Sequence, residues 1–273
     1  MLATMNQLTA RLATHNAVLV LVDASQGSVP RENGAWMAVF GQDFIGTIGG
    51  GHLELLAIEE ARRRLAVATG DAVLRYPLGP GLGQCCGGVV HLRFETVGTA
   101  DGASLAHRLA PQRVPVALFG GGHVGRALVR ALGPLPFALR WIDSRDEIFP
   151  DDVPGNVECE HSDPVQAAVA DLAPGSHVLV MSFSHAEDLD VVAACLKRQR
   201  ERNDLPFLGL IGSKTKWATF RHRLDERGFS KQELAQVTCP IGLPEIRGKQ
   251  PEVIAVSVSA QLLQLRSWET REQ

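Results

Sequence analysis

In the first part of the chain, apolar positions recur with helical spacing in two segments and with strand spacing in five. Glycine-containing turns separate these segments, and Gly41 stands at the start of a hairpin turn. Strands and helices do not alternate strictly, so the pattern predicts an α+β domain. The predicted elements are helices at 4–15 and 52–68 and strands at 17–23, 35–40, 44–48, 72–76 and 89–94.

From residue 113 onward, short apolar strands alternate with helical segments. Alternation of this kind builds a parallel sheet with helices on both of its faces. We therefore predict two domains, 1–112 and 113–273, joined by a linker at 98–112 that contains a short helical segment. The predicted strands of the second domain are 114–119, 138–142, 157–159, 177–181 and 207–211, and its last helix is 251–265.

The composition argues against nucleic-acid-binding and membrane-spanning proteins. The 273 residues are 45% hydrophobic, which is enough to fill two modest cores. The net charge is -3 without a long run of either sign, so the basic surface of a nucleic-acid-binding protein is missing. The apolar run at 17–22 is too short to span a bilayer, and no signal-peptide pattern is found near the start. We expect a soluble, cytoplasmic protein that does not associate with membranes.

The cysteines form one cluster. There are five, an odd number, and they lack the spacing of a disulfide framework or a four-cysteine zinc site, which fits a reducing compartment. Two of them stand together in Gln84-Cys85-Cys86-Gly87-Gly88. Glycine lets the backbone approach a ligand, and a thiol near N–H groups can become a soft thiolate. The cluster indicates a soft-ligand or thiol-reactive site, whereas single free cysteines usually behave as small buried hydrophobes. Both interpretations stay open on this stretch alone.

A glycine motif, Gly-x-Gly-x-x-Gly, lies between the first strand and the first helix of the second domain. Gly120, Gly122 and Gly125 allow a tight turn and bring backbone N–H groups to a phosphate at the positive end of the helix. Asp143 follows the next strand, 18 residues after Gly125, close to where a ribose-binding carboxylate is expected. The motif predicts a nucleotide or NAD(P) site in a Rossmann-like domain. The alternative is that the glycines serve only the packing of helix on strand.

Polar residues also follow two later strands of the second domain. Ser184 and His185 come just after strand 177–181, where open α/β sheets bind ligands. Lys214 and Lys216 follow the last strand and either reach the phosphate of a nucleotide or solvate the start of a helix. The sequence shows neither a Ser/His/Asp relay nor the spacing of a closed metal site, which argues against a hydrolase.

The first domain has two candidate anion-binding segments. Arg31 ends the turn that begins at Gly27, and its planar guanidinium suits phosphate and oxyanions. Gly50 and Gly51 belong to a glycine triplet ahead of a helix that starts with His52 and Glu54, so this helix start is a second potential anion cradle. In both cases the alternative is an ordinary turn.

Six segments stand in an order that resembles the XdhC/CoxI family of xanthine dehydrogenase accessory proteins. The resemblance covers nearly the whole chain, and Gly-Gly-Gly-x-Leu-Glu and Gln-Cys-Cys-Gly-Gly are its most specific pieces. It implies an N-terminal α+β domain followed by a Rossmann-like parallel-sheet domain. The six segments are 27–31, 48–54, 78–80 with 84–88, 120–125, 212–214 and 239–243.

The resemblance implies a chaperone for molybdenum cofactor (molybdopterin) that is not itself a dehydrogenase. Such a protein binds the cofactor as cargo, protects it, supports its sulfuration with a cysteine desulfurase and inserts it into apo xanthine dehydrogenase. The family's cysteine motif falls on Cys85 and Cys86, and we prefer Cys86 as the metal contact without excluding Cys85. Self-association is a further expectation. The sequence departs from the family in two places that put a ligand of the second domain in doubt. The family's histidine-rich stretch is reduced to His185, and residues 244–250 differ from the family's usual sequence.

Two other functions compete with the chaperone. An NAD(P)-dependent oxidoreductase is motivated by the glycine motif together with Asp143. A thiol redox protein would use the adjacent cysteines, but a disulfide between neighbouring residues is strained. We rank the oxidoreductase second and the thiol redox protein last.

Overall fold

A computed structural model describes residues 2–67, 69–79, 87–110 and 112–269. The chain divides into two compact units, Met1–Pro111 and Gln112–Gln273. Within the described ranges, none of the helices has the length and apolar character needed to cross a membrane.

The first unit is built on a five-stranded antiparallel sheet with strand order β3-β2-β1-β5-β4. Strand β1 lies at its centre and pairs with β2 on one side and β5 on the other. The elements of this unit are α1 (Leu2–Leu12), β1 (Ala17–Gln26), β2 (Trp36–Val39), β3 (Phe44–Gly46), α2 (Gly51–Val67), β4 (Ala72–Pro77), β5 (Val89–Val97), a 3-10 turn (Thr99–Asp101) and α3 (Gly102–Arg108).

Both faces of this sheet are buried around β1, which explains its continuous apolar run. One face packs against α2 through Leu53 and Ala57. The other face packs against α1 and α3 through Leu8, Leu12 and Leu105. Since successive side chains of a strand point to opposite faces, an apolar run without alternation is what a central strand between two helical layers requires.

The second unit contains a six-stranded parallel sheet with strand order β11-β10-β9-β6-β7-β8. The chain runs outward from β6 to β8, returns to β9 beside β6, and then continues outward to β11, so the order reverses between β6 and β9. The elements are β6 (Val114–Phe119), α4 (His123–Leu132), β7 (Phe137–Asp143), β8 (Val157–His161), β9 (His177–Val180), α5 (His185–Arg202), β10 (Phe207–Leu210), α6 (Lys214–Glu226), α7 (Lys231–Leu234), β11 (Val237–Thr238) and α8 (Pro251–Glu269).

Helices cover both faces of the parallel sheet. Helices α4 and α8 bury Leu128 and Val258 in one apolar cluster with the sheet, and α5 and α6 bury Val192 and Phe220 in the other. Burial of strands on both faces favours the β-branched and leucine-rich runs that the sequence contains. The predicted fold class, an α+β domain followed by a Rossmann-like domain, is confirmed.

The structure corrects three details. Strand β1 continues through Ser25 and Gln26, which pair with β5, although the sequence predicted that this strand ends at residue 23. Strand β11 was missed because two residues are too few for any periodicity. The predicted linker at 98–112 is also wrong over most of its length, since α3 belongs to the core of the first unit and buries Leu105 and Leu109.

Truncating Leu105 tests this assignment of α3. Leu105 is 2% exposed, so Leu105→Ala should lower the free energy of unfolding of the first unit by about 2–5 kcal/mol, as cavities in packed cores do. Leu55 is 60% exposed, so Leu55→Ala is the matched control and should change it by less than about 0.5 kcal/mol. Urea titration of the full chain measures both free energies. Equal changes in the two variants would indicate that this segment is a linker and not part of the core.

Candidate functional site

In the first unit, the arginine-containing turn meets the start of β5. Strand β1 ends opposite β5, with Gln26 paired to Val89. A methyl group on Gly88 would lie 2.5 Å from the carbonyl oxygens of both Gln26 and Ser28, so only glycine fits there. The Leu78 N–H donates to the Gly88 carbonyl at 2.8 Å and closes the base of the segment that carries the two cysteines.

The glycine triplet packs against the same turn. Gly49, Gly50 and Gly51 have φ values of 125°, 75° and 67°, which are backbone conformations that favour glycine. A methyl group on Gly49 would lie 2.5 Å from the Pro30 Cβ and 3.3 Å from the Arg31 Cγ. The backbone of the triplet therefore contacts the turn directly.

Glu54 holds this glycine triplet from the inner side. Its Oε2 accepts hydrogen bonds from the N–H groups of Ile48 at 3.0 Å and Gly50 at 3.2 Å, and from the Thr47 hydroxyl. The carboxylate thus accepts the hydrogen bond of the Gly50 N–H, a group that the sequence analysis predicted to bind an external anion. Gly50 shapes the triplet, and the part left for an anion is the N-terminus of α2 at Gly51 and His52.

Arg31 keeps its charge available. It is exposed, and no ion pair or hydrogen bond of its guanidinium is found within the described part of the chain. The structure thus brings together three predicted segments of the first unit, namely the turn with Arg31, the glycine triplet and the end of the cysteine motif. Gly87 and Gly88 of that motif are described, whereas Gln84, Cys85 and Cys86 lie outside the described residues.

In the second unit, the glycine motif forms the turn from β6 into α4. A methyl group on Gly120 would lie 2.0 Å from the Met181 carbonyl oxygen, and one on Gly125 would lie 2.0 Å from the Gly120 carbonyl oxygen. The Trp141 indole donates to that same carbonyl at 2.9 Å. Gly122, the N-cap of α4, instead has open space around it. Two glycines therefore serve packing, and one leaves room at the helix start.

Asp143 is committed to the protein. It is 1% exposed and accepts hydrogen bonds from the Gly121 N–H at 2.6 Å and from Arg145, through the backbone N–H at 2.9 Å, Nε at 2.8 Å and Nη2 at 2.9 Å. Burial by itself would raise the pKa of this carboxyl, but the hydrogen bonds from Arg145 and Gly121 outweigh it and lower the pKa. Asp143 is predicted as a ribose ligand, yet its acceptors are occupied, so it holds Arg145 and the glycine loop together.

Two side-chain contacts join the residues after β7 to the loop after β9 and to the first turn of α5. The Ser144 hydroxyl donates to the Glu187 carboxylate at 2.8 Å. The Arg145 guanidinium stacks on the Phe183 ring, 4.5 Å from its centre. Sequence reasoning missed Arg145 and Glu187, although Ser184 and Glu187 have the spacing of a helix N-terminal capping motif.

The two lysines after β10 differ in whether their ammonium groups already have partners within the protein. Lys216 Nζ donates to the buried Asp188 carboxylate at 2.6 Å and to the Ile211 carbonyl at 2.8 Å, so it is not a free phosphate ligand. Asp188 also accepts from the Ser182 N–H at 2.7 Å and thereby ties two loops together. Lys214, the first residue of α6, is exposed and has no ion-pair partner among the residues that the structure describes.

Ser184 and His185 sit at the start of α5. The Ser184 hydroxyl accepts from the Glu187 N–H at 3.2 Å, so this serine caps the helix. His185 is exposed, with its ring edge-on to Phe220 at 6.2 Å. The capping role accounts for Ser184, and His185 remains a candidate ligand.

The described thiols are poor nucleophiles. Burial raises the pKa of Cys195 to about 12 and also raises the pKa values of Cys159 and Cys239. Across the described ranges, no group of three or more His, Cys, Asp or Glu side chains is placed to hold a metal ion.

Two adjacent glycines of the cysteine motif provide a matched test of the first-unit geometry. Gly88→Ala must displace the carbonyls of Gln26 and Ser28 and should lower the free energy of unfolding of the first unit by about 1–3 kcal/mol. Gly87 has open space around it, so Gly87→Ala should change that free energy by less than about 0.5 kcal/mol. Urea unfolding measures both values, and equal tolerance at the two positions would contradict the close approach.

Known proteins resemble this chain along nearly its whole length. The uncharacterized protein YqeB of Escherichia coli (strain K12) is 28% identical over 266 residues, which cover 92% of this chain but 43% of YqeB. A protein from Bacillus halodurans described as a xanthine dehydrogenase has a crystal structure that matches with a TM-score of 0.75 at 20% identity and covers 96% of each chain. At that identity the likeness concerns the fold.

Family comparisons agree with the division into two units. The XdhC and CoxI family matches residues 10–77, which include the arginine turn and the glycine triplet. The XdhC Rossmann domain matches residues 116–262, from β6 into α8 and more than half of the chain. On these matches, and with the fold and the glycine turns in the places described, the chain belongs to the XdhC family.

Proposed function

We propose that this protein is a maturation factor for xanthine dehydrogenase and that its first unit binds the molybdenum cofactor as cargo. In this proposal the protein protects the molybdopterin, supports its sulfuration together with a cysteine desulfurase, and inserts it into apo xanthine dehydrogenase. Membership of the XdhC family supports the maturation role. The observation that carries the binding site is the meeting of three segments, the turn with Arg31, the glycine triplet and the base of the cysteine segment.

The chemistry of the cargo matches these groups. A molybdenum dithiolene is a soft centre that a thiolate can approach, and the terminal phosphate of the pterin needs N–H donors or a cation. Arg31 is an unpaired cation within the described residues, and its side chain lies beside Gly49. Cys86 is two residues from Gly88 in the sequence, so the covalent chain keeps their Cα atoms within about 8 Å. In this proposal the cysteine motif supplies a thiol to the molybdenum and Arg31 supplies a cation to the phosphate.

The partners follow from the proposed role. A cargo carrier must contact the enzyme that receives the cofactor, here the molybdenum-binding subunit of xanthine dehydrogenase, and a cysteine desulfurase that supplies sulfur. Self-association and a cytoplasmic location are part of the same proposal.

Cofactor retention tests the proposal. The protein is purified from a molybdate-fed host, and molybdenum and pterin are measured per polypeptide. The double variant Cys85→Ala/Cys86→Ala should retain less than about a tenth of the wild-type molybdenum, since a lost metal contact or charged hydrogen bond changes affinity by about tenfold or more. Cys159→Ala, which removes an exposed thiol, is the control and should retain the wild-type amount. Arg31→Ala should lower retention of the pterin, whereas Arg62→Ala, at an exposed position of α2, should not.

Two outcomes separate the parts of this proposal. Wild-type protein without molybdenum or pterin would contradict cofactor binding altogether. Equal retention by wild type and the double cysteine variant would remove the cysteines from the site while leaving cofactor binding in place.

The second candidate function is nucleotide binding by the second unit, as in an NAD(P)-dependent oxidoreductase. The observation that favours it is the open space around Gly122 at the N-terminus of α4, where a pyrophosphate would approach backbone N–H groups. Gly122 has φ -70°, which any residue adopts, so a larger side chain there should block the ligand without harming the fold.

Gly122→Val is the corresponding test. Calorimetric titration with NAD and NADP should detect binding to the wild type and at least about tenfold weaker binding to Gly122→Val, because the added side chain fills the approach to the helix N-terminus. The thermal unfolding midpoint should stay within about 2 °C of wild type and so serves as the folding control. Equal affinities would show that this turn does not contact the ligand.

A further inference from the structure

Arg145 is an arginine whose orientation is set by a buried carboxylate. Asp143 is 1% exposed, and it receives Nε and Nη2 of Arg145 on its two oxygens at 2.8 and 2.9 Å. A bidentate pair of this kind fixes the plane of the guanidinium. The guanidinium carbon of Arg145 also lies over the Phe183 ring, 4.5 Å from its centre. Arg145 is therefore preorganised without any ligand.

The guanidinium retains donors for a ligand. Of its five N–H groups, Asp143 uses one on Nε and one on Nη2. Among the described residues, no partner is found for Nη1, and 35% of the side chain is exposed. The contact with Phe183 is made over the aromatic ring and uses none of the N–H donors. An oriented fork with unused donors at its edge suits an oxyanion.

The position of Arg145 indicates which oxyanion. Oδ2 of Asp143 accepts hydrogen bonds from both the Gly121 N–H and Arg145 Nη2, so the guanidinium and the glycine loop meet at one oxygen. Asp143 is the last residue of β7, the strand whose carboxyl end lies beside the ribose of a dinucleotide in folds of this topology. A phosphate on that ribose would meet the arginine.

The same geometry disfavours a ribose with two free hydroxyls. Recognition of such a ribose requires a carboxylate with free acceptors, and those of Asp143 are already bonded to Gly121 and Arg145. We propose that the second unit selects a dinucleotide with a 2′-phosphate, NADP, over NAD, with Arg145 as the specificity-determining residue and Asp143 as its positioning residue. This inference rests on the nucleotide binding that is the second candidate function above.

The test compares ligands that differ by one phosphate. Dissociation constants of the full-length protein are measured for NADP and NAD, and for the fragments 2′,5′-ADP and 5′-AMP. The wild type should bind NADP at least about tenfold more tightly than NAD, and 2′,5′-ADP more tightly than 5′-AMP, because one charge-assisted contact is worth about that ratio. Raising the salt concentration should reduce the ratio, since the discriminating contact is ionic.

Three variants assign the preference to its residues. Arg145→Ala should lose the preference for NADP, because the guanidinium that meets the 2′-phosphate is gone. Arg145→Lys keeps the charge without the fork, and it should retain a smaller preference and guard against misfolding of the alanine variant. Asp143→Asn should also reduce the preference, because the arginine loses its charged partner. Arg130→Ala removes an exposed arginine from α4 and should leave the ratio at the wild-type value.

Each outcome decides the matter. A wild type that binds NADP and NAD with equal affinity would overturn the inference while nucleotide binding stands. A wild type that binds neither would overturn both. A preference for NADP that survives unchanged in folded Arg145→Ala and Arg145→Lys would remove Arg145 from the explanation.

Discussion

Close approaches at glycines, where no Cβ atom intervenes, hold the candidate sites of both units. Gly88 lies against the carbonyls of Gln26 and Ser28, and Gly49 lies against the Pro30 side chain. In the second unit, Gly120 approaches the Met181 carbonyl, and Gly125 approaches the carbonyl of Gly120 itself. Each contact is closer than any side chain allows, so the adjoining loops have their N–H groups fixed in place. A loop fixed in this way offers donors at set positions, which is what recognition of phosphate requires.

The backbone N–H groups of these loops that do not face solvent also need hydrogen-bond acceptors. In each unit a carboxylate accepts these hydrogen bonds. Glu54 accepts from the backbone of the glycine triplet, and Asp143 accepts from Gly121. A buried N–H without a partner destabilises a protein by about 1–3 kcal/mol, so an internal acceptor is strongly favoured. Glu54 and Asp143 therefore each stabilise a candidate ligand-binding loop. The negative charge of such a carboxylate in turn favours a cation nearby, and Arg145 fills that place in the second unit.

The limits of sequence reasoning follow from the range of the interactions involved. Periodicity predicted the fold class because each strand and helix carries its own pattern, but β11 has only two residues and carries none. The role of Asp143 depends on Gly121, which is 22 residues away, so no local pattern could show that its acceptors are taken. Likewise, Lys216 looked free because its partner Asp188 lies 28 residues earlier on another helix. Motif spacing located the candidate loops, and only the fold distinguished residues whose polar groups are free from residues whose polar groups are already bonded within the protein.

Thiol acidity bears on whether the described cysteines of the second unit suit a soft metal. Molybdenum binding needs a thiolate, and an ammonium group near a thiol normally makes it more acidic. Cys239 lies within the electrostatic influence of Lys216, yet burial raises the pKa of this thiol, and Asp188 adds to the rise and counters the lysine. The Lys216–Asp188 pair is buried and tightly joined at 2.6 Å, so its two charges largely cancel at a neighbouring group. Burial therefore disfavours the thiolate form of Cys239, as it does for Cys159 and Cys195. This agrees with our proposal that the molybdenum contact comes from Cys85 and Cys86, which stand between Leu78 and Gly88 in the sequence.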